Sequence, residues 1–306
     1  MTVRYVSADE DSARWNEFCF RAGDIVVSTR SKSGTTWVQM ICALLVFQAP
    51  TLPEPLPQLS PWLDRTTVPI HEVVERLNAQ THRRFVKTHT PLDGVPLDNR
   101  ATYLVVGRHP LDLAVSLYHQ GNNIDRARLR RLTGAPEPVE PEPPRPDLHS
   151  WLLEWVDDDA SPTDRMDGLR GVLWHITHAW NRRHQANVIL VHYDDLLRDL
   201  SGQMRLLADR LAITVAPERW PELVEAATFA SMKARVDEIA PNADGVLKDN
   251  RAFFRRGRSG AGREVLDEGE LRHYYARAAQ FAPPDVLHWL HHADHPTKGA
   301  EPSYTS

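Results

Sequence analysis

Residues 24–37 (Asp24-Ile25-Val26-Val27-Ser28-Thr29-Arg30-Ser31-Lys32-Ser33-Gly34-Thr35-Thr36-Trp37) constrain the fold more tightly than any other stretch of the chain. An apolar run ends in small residues around one lysine, and an apolar helical pattern begins at once. A buried strand must therefore feed a helix through a tight loop. Backbone N–H groups at such a helix start, with a lysine facing the same point, make a cradle for a phosphate-like anion. The lysine precedes Ser33 and Gly34, so the loop differs from the GxxxxGK[ST] pattern of nucleoside triphosphatases.

The pattern continues beyond this unit. Residues 25–29 read as a strand and 35–47 as a helix whose all-round apolarity makes it central. Pro50, Pro53, Pro55 and Pro57 break regular structure and predict a surface connection. Further strands are expected at 84–87, 102–107 and 188–192, and helices from Pro110 to about 120, at 148–156, 170–184 and 194–211. Strands alternating with helices predict an α/β, P-loop-like three-layer fold with a mostly parallel central sheet. One domain over residues 1–306 is expected, with a proline-rich exposed loop at 133–150 and a flexible tail at 294–306.

Composition limits the partners. A formal net charge of −5 argues against a protein that coats nucleic acid through bulk charge. The chain is 42% hydrophobic and 25% charged, as in a soluble globular protein, and no run is long enough to span a membrane. Cys19 and Cys42, the only cysteines, give neither a zinc framework nor a disulfide scaffold. With no signal-peptide pattern, this points to the cytoplasm. No acidic triad or histidine cluster suggests a metal site.

Three strand ends carry unusual polar residues: Arg30-Ser31-Lys32-Ser33, Lys87-Thr88-His89 and Gly107-Arg108-His109-Pro110. In parallel α/β sheets ligands bind beyond the carboxyl ends of the strands, so these groups are expected to converge. Two lysines and an arginine in one site need an anionic partner, which predicts a ligand with more than one phosphate or sulfate group. Taken singly, Lys32 reads equally well as a surface turn, His89 as a capping histidine and Trp37 as core.

Lys32-Ser33-Gly34-Thr35-Thr36-Trp37 resembles the 5′-phosphosulfate loop of the cytosolic-type sulfotransferases, and the resemblance is to a bacterial member of that family. Arg108-His109-Pro110 with Asp112 and Ser116 resembles that family's 3′-phosphate segment, and Lys87-Thr88-His89 its catalytic strand end. Tyr193-Asp194-Asp195, Thr228-Phe229 with Met232, and Arg255-Arg256-Gly257 are similar to later family segments and occur in family order.

The resemblance implies sulfuryl transfer from 3′-phosphoadenosine 5′-phosphosulfate (PAPS) to a hydroxyl, or less readily an amine, of a small acceptor. It implies that Ser33, Gly34, Thr35 and Thr36 cradle the 5′-phosphate, and that Trp37 and Phe229 enclose adenine while Tyr193 reaches its edge. Arg108, Ser116, Arg255, Arg256 and Gly257 are implied at the 3′-phosphate. His89 is implied as general base, with Lys32 and Lys87 neutralising charge on the leaving oxygen and the sulfuryl group. No metal is implied.

The chain departs from the family text at His109, at Ala227 and at Gly260-Ala261-Gly262-Arg263. The C-terminal interface pattern of dimeric relatives is not recognisable, so monomer and homodimer both stay open. Phe18, Phe20, Trp62, Tyr118 and Trp151 are the expected acceptor walls and suit a largely apolar molecule. Two other readings remain at this point: a P-loop kinase or hydrolase, and a non-catalytic nucleotide-binding protein of the same fold.

Overall fold

The computed structural model describes residues 2–138 and 144–291. The expected flexible tail and the middle of the proline-rich loop lie outside these residues. Strands β1 (Ile25–Ser28), β2 (Phe85–Thr88), β3 (Thr102–Gly107) and β4 (Val188–His192) form a parallel sheet in the order β2-β1-β3-β4. The register pairs Ser28 with Thr88 and Val105, and Gly107 with His192, so the carboxyl ends align along one edge. The chain leaves β1 to form β2 on one side and β3 on the other. This is the strand-order reversal at which parallel sheets open a crevice.

Alternation along the strands explains the layers. Ile25 and Val27 of β1, with Leu104 and Val106 of β3, join one apolar cluster, while Val26 and Val105 join another. Successive side chains point to opposite faces, so a sheet with both faces apolar must be covered twice. The first face is covered by α1 (Thr35–Phe47), which carries buried side chains on nearly every side. Helix α2 (Leu56–Leu59) follows, and α3 (Ile70–Ala79) precedes β2. After β3 come α4 (Pro110–Asn123), α5 (Arg126–Thr133), α6 (Leu148–Asp157) and α7 (Leu169–Trp180), with α6 and α7 contributing to the second face.

Three expectations change in detail. The proline-rich connection after α1 contains α2, because Pro57 sits in its first turn, where no helical N–H bond is lost, and Leu56 and Leu59 are buried. The helix expected over 170–184 stops at Trp180. The one expected over 194–211 divides into α8 (Tyr193–Arg198) and α9 (Leu200–Arg210), since Asp199 leaves helical geometry and its carboxylate caps Gly202 N–H at 2.8 Å. The described chain ends in α10 (Trp220–Ala226), α11 (Phe229–Ala234), α12 (Val236–Ile239), α13 (Glu268–Ala278) and α14 (Pro284–Leu290).

Candidate active site

The β1–α1 loop takes a shape that few sequences allow. Lys32 has φ +66° and Gly34 φ +113°. A Cβ at Gly34 would lie 2.9 Å from the Tyr193 ring, so both backbone conformation and space require glycine there. Lys32 tolerates left-handed backbone at some cost, a kind of strain that concentrates at functional sites. Ser33 N–H donates to Arg30 O at 3.2 Å, so it closes the turn rather than facing outward. The Thr29 and Thr35 hydroxyls are 2.5 Å apart. Gly34 is the N-cap of α1 and brings no side chain to cap it, which leaves the positive end of a buried helix directed at the loop.

Beyond this loop lies a cavity of about 370 Å³ lined by Lys32, Lys87, His89 and Arg108 from the three expected strand ends. The convergence inferred from sequence therefore holds. Burial, with Arg108, Lys87 and Arg255 nearby, lowers Lys32 to about 7; burial, with Arg65 nearby, lowers Lys87 to about 7. The Lys32 ammonium donates to Gln120 Oε1 at 3.3 Å and lies 3.9 Å from the centre of the Phe253 ring. The Lys87 ammonium lies 3.8 Å from the Trp62 ring. These neutral contacts hold the ammonium groups; Arg108, Lys87 and Arg255, the charged neighbours of Lys32, are all cations, whereas Lys87 also has Glu10, Asp64 and Asp9 nearby.

His89 is buried, and its Nδ1 lies 2.5 Å from Thr29 O. A carbonyl only accepts, so Nδ1 carries the proton and Nε2 keeps its lone pair. Burial first, then Lys87 and Arg30, hold the imidazole well below its usual range and therefore neutral near pH 7. The Trp62 ring packs edge-on against it at 4.6 Å. Arg30, also buried, donates to His89 O and to Asp167 Oδ1 (2.6 Å), fixing the strand end from behind.

The remaining residues expected at a nucleotide hold one another. The Arg108 guanidinium donates to Lys32 O at 3.0 Å and lies 4.2 Å from the centre of the Tyr193 ring, while its Nε is buried without a partner. Trp37 Nε1 donates to Ala227 O at 2.8 Å, so the backbone anchors Trp37 at the position where the sequence departs from the family. Asp112 accepts from Gly260 N–H and Gly262 N–H, both at 2.8 Å, and Asp194 accepts from the Ser259 hydroxyl. These contacts fasten the late loop so that Arg255, Arg256 and Gly257 line the cavity. Gly257 has φ +61°, and a Cβ there would meet Phe229 at 2.5 Å.

Thr35, Thr36, Trp37, Ser116, Tyr193 and Phe229 line the same cavity. Of the expected acceptor walls only Trp62 does so. Phe18 and Phe20 pack 4.9 Å apart beside Trp15, and the Arg84 guanidinium lies over Phe18. Arg84 precedes β2 and Phe20 also packs near Tyr103 of β3, so this aromatic group sits at the strand starts, on the opposite edge from the cavity. Tyr118 and Trp151 both pack against Arg145, and Tyr118 OH donates to Pro146 O at 2.9 Å. Their place is against the proline-rich segment, because the cavity is lined by Ser116, Leu117, Gln120 and Gly121, a different face of α4.

Asp9, Glu10, Arg65 and Asp167 also line the cavity, and the sequence reading had not singled them out. No local pattern marks them, since they come from separate segments that meet only in the fold. Among the described residues no group of three or more His, Cys, Asp or Glu is placed to hold a metal ion, and no helix is long and apolar enough to cross a membrane.

A parallel sheet with a cation-lined crevice at its carboxyl edge, beside a glycine-capped helix, defines a class of α/β proteins that bind phosphorylated ligands. Comparison with known proteins narrows the class. The family model described as "Sulfotransferase domain" matches residues 22–280, and the chain belongs to that family. It is 43% identical to a glycolipid sulfotransferase of Mycobacterium bovis, with 94% of each chain covered. It is also 27% identical to rat sulfotransferase 2B1, covering 78% of this chain and 65% of that one. Its fold matches mouse sulfotransferase SULT7A1 complexed with PAP at a TM-score of 0.68 and 18% identity, covering 93% of each chain. Retinol dehydratase in complex with androsterone and PAP matches at 0.63 and 20% identity, covering 95% of this chain and 86% of that one. The protein is a sulfotransferase.

Proposed function

We propose that the cavity binds PAPS and that His89 draws the proton from an acceptor hydroxyl as the sulfuryl group moves. The observation that carries this reading is His89, its tautomer set by Thr29 O, facing one cavity with Lys32 and Lys87. The fit to a 3′,5′-bisphosphate nucleotide is supported by the cations gathered around Lys32, by the unpartnered Arg108 Nε and by a loop whose Gly34 has no room for a Cβ. Lys32 and the N–H groups at the start of α1 would hold the 5′-phosphate; Arg108, Ser116 and the Arg255–Gly257 loop the 3′-phosphate; Trp37, Tyr193 and Phe229 the adenine.

When bound, the donor supplies an activated sulfuryl group on its 5′-phosphate. The acceptor oxygen forms a bond to sulfur as the bond from sulfur to the bridging phosphate oxygen breaks. His89 Nε2 takes the hydroxyl proton, and the electron pair stays on the departing phosphate, where Lys32 neutralises it. Lys87 offsets charge on the sulfuryl oxygens. This division of roles explains the geometry without a metal in the step.

The acceptor is proposed to be a hydroxyl-bearing amphiphile. One part of the cavity is apolar, with Leu117, Ile124, Val246 and Phe254, while another carries carboxylates. The test is transfer of labelled sulfuryl groups from PAPS to a panel of phenols, alcohols and glycosides, run beside His89→Ala. Transfer by the parent protein and none by the variant is expected. Transfer by both at similar rates would remove His89 from the chemistry.

A further inference from the structure

Of the three carboxylates that line the cavity, Asp9 and Glu10 come from a segment outside the residues that the family model matches, and Asp167 lies within them. Tyr5 and Ser12 exchange hydrogen bonds, Val6 bridges Asp11, and Ser7 N–H donates to Glu10 O at 2.9 Å, making a tight hairpin. Its base is fixed where Tyr5 OH contacts Asp93 and Trp174 Nε1 donates to Tyr5 OH at 2.8 Å. Its tip is fastened to residues 64–66: Thr66 N–H donates to Asp9 O and Asp11 N–H to Asp64 O, both at 2.8 Å, and Glu10 bridges Arg65. The hairpin thus brings Asp9 and Glu10 to the wall of the cavity that holds His89.

Glu10 is the unusual member. It is 5% exposed, it lines the cavity, and its Oε2 has no hydrogen-bond partner. The nearby cation, Arg30, places Nη1 3.9 Å away, beyond hydrogen bonding; that Nη1 donates to His89 O, and Nη2 pairs with Asp167. Arg65 is paired with Asp244 at 2.9 Å. A buried carboxyl oxygen with no partner is costly in an empty site, and a ligand that bonds it recovers that cost. Burial above all pushes Glu10 well above the usual carboxylate range, and its unpartnered Oε2 can accept from a ligand hydroxyl, or donate to one when the carboxyl is protonated. That chemistry matches a neutral hydroxyl. An ammonium group would find Arg30, Arg65 and Lys87 close by.

We propose that Asp9 and Glu10 form the acceptor-selecting wall, with Glu10 as its principal residue, and that they hydrogen-bond the non-reacting hydroxyls of a polyhydroxylated headgroup whose neighbouring hydroxyl lies at His89. The proposal rests on the reading of the cavity as a sulfuryl-transfer site and adds which acceptor that site prefers. A polar wall rejects an analogue lacking the matching hydroxyl far more strongly than an apolar wall rejects an added one. Simple phenols and single alcohols are therefore the poorer acceptors.

The test is calorimetric binding of monomeric octyl β-glucoside, 1-octanol and octylamine, with and without saturating PAP. Glu10→Leu should weaken glucoside binding about tenfold or more and leave octanol within about twofold, while Glu10→Gln stays within about threefold of the parent. PAP affinity, measured alongside, reports whether each variant is folded. Should Glu10→Leu fail to fold, Asp9→Asn on the half-buried neighbour takes its place, with a glucoside-specific loss of about threefold expected. Equal loss for glucoside and octanol, no loss for either, or preference of the parent protein for octylamine would overturn the proposal. Failure of the donor reading shows separately, as absence of PAP binding by the parent protein, and the glucoside comparison without PAP still decides the wall.

Discussion

The two sides of the cavity are built differently. On the proposed donor side, one contiguous loop supplies Lys32, Gly34 and the start of α1, and nearby strand ends add Lys87, His89 and Arg108. On the proposed acceptor side the wall is assembled from the Tyr5–Ser12 hairpin, the Trp62–Arg65 segment, one face of α4 and residues near 246–254. A contiguous loop fixes position through its own backbone, as Lys32 and Gly34 do with positive φ. An assembled wall depends on packing between distant segments, so a substitution in it need not disturb the loop.

This contrast orders the expected effects of substitution. His89→Ala should lower kcat about a thousandfold with PAP affinity within about twofold, measured by turnover and calorimetry in parallel. A matching fall in PAP affinity would mean that His89 belongs to the donor side only. Lys32→Ala should lower kcat about a hundredfold. Arg108→Ala should instead weaken PAP about 10- to 100-fold with kcat little changed, because its charge meets the nucleotide away from the reacting bond. An Arg108→Ala protein with parental PAP affinity would break the division.

A pH titration sharpens the donor side further. Lys32 and Lys87 are lowered to about 7, and the same neighbours that lower them are cations. A bound dianion restores the protonated forms, so PAP binding between about pH 7 and 9 should take up protons and weaken as pH rises. Below about pH 6 the lysines are already protonated and the uptake should vanish. Calorimetry in buffers of different ionisation enthalpy measures this, and pH-independent affinity would contradict it. The smallest effect belongs to Tyr118→Ala. With Tyr118 bonded to Pro146 O and packed on Arg145, acceptor KM should stay within about twofold of the parent.

The same contrast explains what was legible before the fold was known. The strand expected at 25–29 and found at 25–28, the helix at 35–47 and the meeting of Lys32, Lys87, His89 and Arg108 follow from short-range pattern and from the rule that parallel strands present their carboxyl ends together. Asp199 hid a helix break because its capping role depends on a local backbone choice rather than on apolar periodicity. Phe18 and Phe20 are expected at the acceptor because aromatic walls suit a largely apolar molecule. Their position at the strand starts follows instead from burial with Trp15 beneath Arg84. Glu10 carries no sequence signal; only the hairpin and its bridge to Arg65 bring it to the cavity.

The most direct test of the central claim, that this cation cluster reads a 3′,5′-bisphosphate nucleotide, is a calorimetric comparison of PAP with ATP, the latter with and without Mg²⁺. The account predicts that PAP binds about a hundredfold more tightly than ATP under either condition and loses most of that advantage in Arg108→Ala. Equal affinity for the two nucleotides, or tighter binding of Mg²⁺–ATP, would contradict it.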